Sequence, residues 1–300
     1  MRVMFCGTGW LPIVDAIRAR LPDGITVAVR DPARPIVEQL RDANVILPSN
    51  CHIDRAAIET PADLRLIQQP AAGIDGVDLA AARDRGVPVC NAPGGNTHSV
   101  AEAALFLMLA LARKLPEAMR AFETGTIGVP LGVELRGKIL GIVGLGRAGT
   151  ALAHIAKGIG MHVESVRSSS SAADLDRLLR TSDFVSLHCP LTPQTRGLID
   201  ASAFAAMKPG AFLINCARGP IVDQTALEQA LAAGTLGGVG LDTYWREPWN
   251  PENPLFARDN VVALPHVAGS TNESFARIAD IAASNIVSVR DGTAPRHRVI

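Results

Sequence analysis

Three glycines have the spacing of a site for a phosphate-bearing ligand: Gly144, Gly146 and Gly149. They follow a strand-like run, Lys138–Val143, and open a helical pattern, and this context distinguishes a dinucleotide-binding fingerprint from a chance glycine pattern. The first glycine permits a tight turn, the second lets a pyrophosphate approach the backbone, and the third lets helix and strand pack closely. The N–H groups of Arg147 and Ala148 would then bind the phosphates at the start of the helix. The spacing therefore predicts a dinucleotide site.

The residues after the second strand of this domain predict which dinucleotide binds. An NAD-preferring site usually has an acidic residue about 20 positions beyond the glycines, where it binds the ribose 2'-hydroxyl. Here the strand ends at Val166 and is followed by Arg167 and Ser168. A cation and a hydroxyl attract a 2'-phosphate. NADP(H) is therefore favoured, and NAD(H) is the alternative if Glu164 or Asp174 approaches the ribose instead.

The elements that must position these residues are repeated strand–helix units. Short apolar runs alternate with amphipathic stretches from Arg2–Cys6 to Val87–Val89, and again from Lys138–Val143 to Val261–Leu264. This alternation predicts an α/β fold with two Rossmann-like, doubly wound parallel sheets.

The connection between the two series predicts the domain boundaries. Pro93–Asn96 interrupts the pattern before a long helix from Ser99 to about Leu115. The tail from Ser274 to Val289 has helical apolar spacing but is too short to be a domain, so we expect it to pack on the first domain. We therefore expect a substrate domain of residues 1–94 and 275–300 and a dinucleotide-binding domain of residues 95–274.

Composition and charge exclude several classes of partner. The 300 residues exceed what one ordinary core accommodates, and they are 48% hydrophobic with only 4% aromatic. Lys plus Arg and Asp plus Glu number 29 each, so there is no broad basic surface to attract nucleic acid or anionic membrane. We expect neither partner.

The cysteines and the apolar segments predict an intracellular protein without a metal site. Five cysteines are scattered without a CxxC pair: Cys6, Cys51, Cys90, Cys189 and Cys216. Their number and spacing favour free thiols. The start of the chain is strand-like rather than a signal peptide, and Val100–Ala112 is shorter than the ~20 residues needed to cross a bilayer. We expect a cytoplasmic location.

Six segments carry motifs of one enzyme family in its order and spacing. They are Gly86–Pro93, Ser99–Glu102, Glu134–Gly146, His188–Thr192, Asn215–Gly219 and Pro265–Ser270. From about Leu64 to Ser274 the chain resembles the D-isomer-specific 2-hydroxyacid dehydrogenases, especially their glyoxylate/hydroxypyruvate reductases, and before Leu64 the resemblance is vague. The resemblance implies hydride transfer between a nicotinamide cofactor and the carbon beside the carboxylate of a small 2-oxo or 2-hydroxy acid.

The resemblance also implies three catalytic residues. Arg218 corresponds to the substrate arginine, whose guanidinium can hold a carboxylate through two parallel hydrogen bonds. His266 corresponds to the acid/base, and imidazole is the side chain that titrates nearest neutrality. Glu247 corresponds to the carboxylate that fixes the imidazole and favours its protonated form. All three follow strands of one sheet, at the edge where α/β proteins bind ligands.

Further binding positions follow from the same resemblance. Ala72 and Gly73 would receive the substrate carboxylate on their backbone. The additional cofactor contacts are Cys189 and Pro190 on the adenosine side, Thr195 at a phosphate, Ala217 and Asp242 at the nicotinamide ribose and amide, and His266 and Gly269. Four further histidines, His98, His154, His162 and His188, have no such partners and are interpreted as surface or packing residues.

Two other functions remain open beside NADPH-preferring reduction of glyoxylate or hydroxypyruvate. One is NAD-dependent oxidation of a 2-hydroxy acid, including a phosphorylated one, which would need an extra cation such as Arg55 or Arg65. The other is a dinucleotide-sensing binding or corepressor module.

The resemblance predicts a homodimer formed through the cofactor domain, with the Ser99 helix at the interface. A cluster of large rings, Tyr244, Trp245 and Trp249, replaces the acidic and small residues common in the family. We expect these rings near the substrate opening or the dimer surface.

Overall fold

The computed structural model describes residues 1–300, and the chain divides into two compact units. The first unit contains residues 1–96 and 270–300, and the second contains residues 97–269. The sequence predicts these boundaries after residues 94 and 274. Each unit is built around one parallel sheet.

The first unit contains five strands: β1 (Arg2–Phe5), β2 (Thr26–Val29), β3 (Val45–Leu47), β4 (Leu66–Gln68) and β5 (Val89–Cys90). They are all parallel and lie in the order β2-β1-β3-β4-β5. Four helices lie between them in sequence: α1 (Pro12–Arg18), α2 (Ile36–Leu40), α3 (Arg55–Glu59) and α4 (Leu79–Asp84). Strands β3 and β4 are buried throughout, as their unbroken runs of Val, Ile and Leu require in a sheet covered on both faces.

The second unit contains six helices: α5 (Thr97–Ala112), α6 (Leu115–Glu123), α7 (Arg147–Gly158), α8 (Ala172–Thr181), α9 (Ala201–Ala206) and α10 (Gln224–Ala232). Its six strands are β6 (Ile139–Val143), β7 (His162–Val166), β8 (Phe184–Leu187), β9 (Phe212–Asn215), β10 (Gly238–Leu241) and β11 (Val261–Ala263). They are parallel in the order β11-β10-β9-β8-β6-β7. In the sheet, β7 lies on one side of β6 and β8 lies on the other. The strand order therefore reverses between β6 and β8, and doubly wound sheets bind ligands at such a point.

Helix α5 packs directly on the second sheet because the sheet has small residues beneath it. A Cβ atom at Gly240 would lie 2.9 Å from the Cβ of Leu107, and one at Gly238 would lie 3.1 Å from Leu111. The helix can therefore bury Leu107, Met108 and Leu111 against β9 and β10.

The chain turns sharply after α5 instead of continuing to Leu115 as predicted. Lys114 adopts a left-handed conformation (φ 51°), and Pro116 stands in the first turn of the next helix. Proline has no N–H and is tolerated only in the first turn of a helix, so the sequence here starts a new helix, α6.

The last helix, α11 (Asn272–Arg290), completes the first unit. It begins with a capping box between Thr271 and Ser274, packs on α1 and β4, and buries Ile278 and Ile286. The side chain of Asn285 in α11 donates a hydrogen bond to Oε1 of Gln68 in β4 at 2.7 Å. The predicted fold class is thereby confirmed: two parallel-sheet α/β domains, the first built from both chain ends.

None of the helices combines the length and apolarity needed to cross a bilayer. The five cysteines are all free thiols, and Cys6, Cys90 and Cys216 are buried.

Candidate active site

Each of the three fingerprint glycines has a distinct steric role in the structure. Gly144 has a φ of +100°, and a Cβ there would lie 2.5 Å from the backbone N of Cys189. Gly149 allows α7 to approach β6, because its Cβ would lie 2.3 Å from the carbonyl oxygen of Gly144. Gly146 caps α7, and no atom lies within 4 Å of the position a Cβ would take there, so a phosphate can approach the backbone. This cradle fits a dinucleotide.

The cradle lies at the reversal of the strand order. Gly144 follows β6, and His188 and Cys189 follow β8, so the two strand ends meet at the first glycine. The N-terminus of the twelve-residue α7 directs the N–H groups of Arg147 and Ala148 toward this edge. This helix end carries about half an elementary positive charge. A diphosphate is the ligand that such a site stabilises.

Arg167 and Ser168 follow β7 and are exposed. The Arg167 backbone N–H donates to the Ser170 hydroxyl at 3.1 Å, which fixes the turn that carries the guanidinium.

The two acidic residues that would favour NAD have hydrogen-bond partners within the protein. Asp174 accepts hydrogen bonds from the hydroxyl and N–H of Ser171, at 2.8 and 3.0 Å, and these bonds lower the pKa of its carboxyl. Glu164 accepts from the Thr181 hydroxyl at 3.3 Å.

The loop after β8 holds the other predicted adenosine-side residues. Thr195 donates its hydroxyl to the Pro190 carbonyl at 2.7 Å and accepts from the Thr192 N–H at 2.8 Å. Burial raises the pKa of Cys189, which therefore stays a neutral thiol. The predicted contacts of these residues with the cofactor stay predictions.

Glu247 and His266 form a hydrogen-bonded pair. Glu247 Oε2 lies 2.7 Å from His266 Nδ1, and Glu247 Oε1 accepts from the Tyr244 N–H at 3.1 Å. Burial opposes ionisation of this carboxyl, but the hydrogen bond and charge of His266, the Tyr244 N–H and the charge of Arg218 outweigh it and lower the pKa of Glu247. The carboxylate is therefore ionised at neutral pH and can stabilise an imidazolium.

Asp242 fixes the loop that carries His266. It follows β10, is 1% exposed, and accepts hydrogen bonds from the N–H groups of Val267 and Ala268 at 2.7 and 3.0 Å. Burial is the largest influence and raises the pKa of Asp242 to about 6, while those two N–H groups and the charge of His266 oppose the rise. His266 itself has a φ of +54°, a conformation uncommon outside glycine that requires such support.

Arg218 follows β9 on a turn that side chains hold in place. Asn215 donates to the Arg218 carbonyl at 2.9 Å and accepts from the Ala217 N–H at 3.0 Å. Its positive charge contributes to the lowered pKa of Glu247. Arg218 follows β9, Glu247 follows β10 and His266 follows β11. These are three adjacent strands of the sheet.

The remaining predicted positions are Ala72, Gly73 and Gly269. Ala72 and Gly73 belong to the first unit, between β4 and α4, where Asn91 Nδ2 donates to the Ala72 carbonyl at 2.7 Å. Gly269 is the last residue of the second unit. Their roles toward substrate and cofactor stay predictions.

The structure shows how the aromatic cluster packs, and its predicted place near the substrate opening or a dimer surface stays a prediction. Tyr244 is only 5% exposed, and its ring packs against Trp249 and Phe256 at centroid distances of 4.3 and 5.5 Å. Trp245 donates its indole N–H to the Val222 carbonyl at 2.6 Å. The cluster therefore packs on the core of the second unit, because large rings beside a buried strand end gain more from burial than from exposure.

The sequence also missed the partner of His188. This histidine is half-buried, and its Nε2 lies 2.8 Å from the Ser186 hydroxyl. Burial lowers the pKa of His188 to about 4, so the ring is neutral at pH 7. The alternation of Ser186 and His188 on one side of the chain was the signal that could have identified the pair.

The second unit matches a known family. The model for the NAD-binding domain of D-isomer specific 2-hydroxyacid dehydrogenases matches residues 105–268. A D-3-phosphoglycerate dehydrogenase of Archaeoglobus fulgidus is 40% identical over 267 residues, which are 85% of this chain and 51% of that protein, so the chain spans about half its length. A glyoxylate reductase of Korarchaeum cryptofilum is 37% identical over 281 residues, 88% of this chain and 85% of that protein.

Solved structures share the fold over the whole chain. The TT0316 protein of Thermus thermophilus has a TM-score of 0.90 and 36% identity, with all of both chains covered. An NADPH-dependent glyoxylate/hydroxypyruvate reductase of Sinorhizobium meliloti, in complex with NADP and malonate, has a TM-score of 0.87 and 28% identity, covering 99% of this chain and 96% of that one. An NAD-dependent formate dehydrogenase of Staphylococcus aureus, in complex with NAD, also has a TM-score of 0.87, with 26% identity over 100% and 99% of the two chains. With these matches, the chain belongs to the D-isomer-specific 2-hydroxyacid dehydrogenase family.

Proposed function

We propose that this protein transfers a hydride between a nicotinamide dinucleotide and C2 of a small 2-oxo or 2-hydroxy acid. The observation that carries the proposal is the 2.7 Å Glu247–His266 hydrogen bond, in the electrostatic environment of Arg218 on the neighbouring strand end. These residues supply the groups that carbonyl reduction requires: a cation for the carboxylate, a proton donor for the developing alkoxide, and a carboxylate that supports that donor.

In the direction of reduction, Arg218 holds the substrate carboxylate. When bound, the reduced nicotinamide supplies the hydride to C2. The C2 oxygen then gains negative charge and takes a proton from protonated His266. Because Glu247 bonds to Nδ1, we assign the exchanged proton to Nε2. Glu247 remains ionised and stabilises the imidazolium before the transfer.

For the cofactor, the proposal is a preference for NADP(H). The exposed Arg167 and Ser168 offer a cation and a hydroxyl to a 2'-phosphate, and the carboxylates of Asp174 and Glu164 are bonded to protein groups. Cys189, Pro190, Thr195, Ala217, Asp242 and Gly269 complete the proposed cofactor contacts.

For the substrate, the proposal is an unphosphorylated acid such as glyoxylate or hydroxypyruvate. A phosphorylated acid needs an additional cation, and the two candidates are committed to acidic partners. Arg55 bonds Glu59 and Asp84 at 3.2 and 2.7 Å, and Arg65 bonds Asp63 at 2.6 Å. This pairing favours the smaller substrates over a phosphoglycerate-type acid.

The proposal extends to a homodimer formed through the second unit. Large apolar side chains are exposed along α5, α6 and the segment that follows: Phe106, Leu109, Met119, Phe122, Ile127 and Leu131. We call these residues the apolar face. Exposure of so many large apolar side chains within one stretch of chain is typical of an interface.

The test is a steady-state screen that follows oxidation of NADPH and NADH separately. The acids are glyoxylate, hydroxypyruvate, pyruvate and phosphohydroxypyruvate, and the proteins are the wild type and Arg167→Asp. We expect turnover of glyoxylate or hydroxypyruvate with NADPH, and a fall of about tenfold or more in the NADPH/NADH ratio of kcat/KM in the variant. Arg180→Asp, which changes an exposed arginine at the other end of α8, is the control.

Three outcomes would contradict parts of the proposal. Tight dinucleotide binding without turnover would favour the binding-module alternative. Turnover of the phosphorylated acid alone would overturn the substrate assignment, and an unchanged cofactor ratio would remove Arg167 from the cofactor site.

A further inference from the structure

Tyr244, the only tyrosine of the chain, touches all three loops that carry the proposed catalytic residues. Its backbone N–H donates to Glu247 Oε1 at 3.1 Å. Its hydroxyl donates to the carbonyl of Leu264, two residues before His266. Its backbone carbonyl group lies against Gly219, next to Arg218, so closely that a Cβ on Gly219 would lie 2.1 Å from the Tyr244 carbonyl carbon.

The Leu264 carbonyl is the central point of this arrangement because it accepts two hydrogen bonds. Besides the Tyr244 hydroxyl, it accepts the N–H of His266 at 2.9 Å, which closes a tight turn around Pro265. This turn places His266 in its left-handed conformation. The hydroxyl therefore holds the turn that directs the imidazole toward Glu247.

The tyrosine ring is itself held rigidly. It is buried and packs against Trp249 and Phe256. Burial, with the carboxylates of Asp242 and Glu247, raises the pKa of the Tyr244 phenol, so the hydroxyl remains a donor across the working pH range.

We propose that Tyr244 is a positioning residue of the acid/base pair, holding Glu247 through its N–H and the His266 turn through its hydroxyl. This inference rests on the proposed function of Glu247 and His266. It assigns Tyr244 no contact with substrate or cofactor.

The test is Tyr244→Phe, which removes only the hydroxyl. We expect kcat of the 2-oxo acid reduction to fall by about tenfold, since a small misalignment of an acid/base costs part of its contribution. We also expect the alkaline limb of the kcat/KM profile to move to lower pH, because an imidazole that is less well aligned with Glu247 receives less support for its protonated form. The Kd for NADPH should stay unchanged.

Phe256→Leu is the matched packing control, because it disturbs the same aromatic cluster and leaves both hydrogen bonds of Tyr244 in place. It should lower Tm at least as much as Tyr244→Phe while leaving the pH profile in place. If both variants shift the profile alike, or if neither does, Tyr244 contributes packing only and the proposal is wrong.

A second readout needs no turnover and separates this inference from the proposed function. A hydrogen-bonded Nδ1 proton of His266 gives a low-field proton NMR signal, identified by its loss in His266→Ala. We expect the signal to weaken or move upfield in Tyr244→Phe and to persist in Phe256→Leu. An unchanged signal in Tyr244→Phe would overturn the positioning role even in a protein that reduces none of the acids.

Discussion

At the scale of single residues, the proposed chemistry has two parts. The charge of Arg218 binds the substrate carboxylate, and the Glu247–His266 pair moves a proton. Arg218 stands on a turn fixed by Asn215, and its role requires only charge and orientation. The Glu247–His266 pair requires a short hydrogen bond, which two further groups, the Tyr244 N–H and the Asp242 carboxylate, hold in place from either side. The two roles should therefore separate on mutation.

We predict that His266→Ala lowers kcat by about a hundredfold to ten-thousandfold, the usual contribution of a general acid. Binding of NADPH and of a 2-oxo acid anion should persist, because the dinucleotide cradle and Arg218 are intact. Stopped-flow single turnovers and equilibrium binding of the anion measure the two effects. His162→Ala, at the start of β7, is the control, and equal kcat in the two variants would remove His266 from the mechanism.

We predict that Arg218→Ala mainly raises KM for the acid and lowers kcat/KM by about a hundredfold or more, since the carboxylate loses a bidentate partner. The Kd for NADPH should change little. The same assays measure both, and an unchanged KM would show that another group binds the carboxylate.

At the scale of elements, loops that follow adjacent strands form the site only if their backbones can approach closely. Gly219 makes this possible, because a Cβ there would lie 2.1 Å from the Tyr244 carbonyl carbon and 2.5 Å from the Trp245 nitrogen. The glycine is thus a packing requirement between the loop of Arg218 and the loop of Glu247.

We predict that Gly219→Ala lowers the free energy of unfolding by about 1–3 kcal/mol, the usual cost of overpacking, and lowers kcat as the two loops separate. Urea unfolding and the activity assay test this. Gly158→Ala is the matched control, because its methyl group would meet no atom within 4 Å at the end of α7. An unfolding midpoint in Gly219→Ala equal to that of the wild type would contradict the expected clash.

The elements also show how far sequence reasoning extends. The cradle of Gly144, Gly146 and Gly149 was predictable because its constraints lie within six residues of chain. The bond between the Tyr244 hydroxyl and the Leu264 carbonyl was not, because it joins residues 20 positions apart through a backbone atom that every residue possesses. The break at Lys114 was missed because the apolar spacing continues to Leu115, although Pro116 favoured it.

At the scale of the whole molecule, the apolar face is a surface whose exposure to water is unfavourable in a monomer. Phe122, Ile127 and Leu131 are 86%, 96% and 83% exposed. A second copy of the chain is the partner that the resemblance to the family predicts for this surface.

We predict a mass of twice the 31.6 kDa of one chain in sedimentation velocity, and the mass of one chain for Phe122→Glu combined with Leu131→Glu. Burying two carboxylates in an apolar interface costs more free energy than the apolar contacts of that interface can offset. Leu11→Glu, an equally non-conservative change in the first unit, should leave the mass unchanged. A wild-type monomer would disprove the dimer.

The division of the first unit between the two chain ends also determines the order of events on the ribosome. The second unit, residues 97–269, is continuous and can fold as soon as it has emerged. The first 96 residues emerge earlier but lack α11, which packs on α1 and β4 and inserts Ile278 against Gly95. Residues 1–96 are therefore synthesised before the second unit but complete their native core only after α11 has emerged.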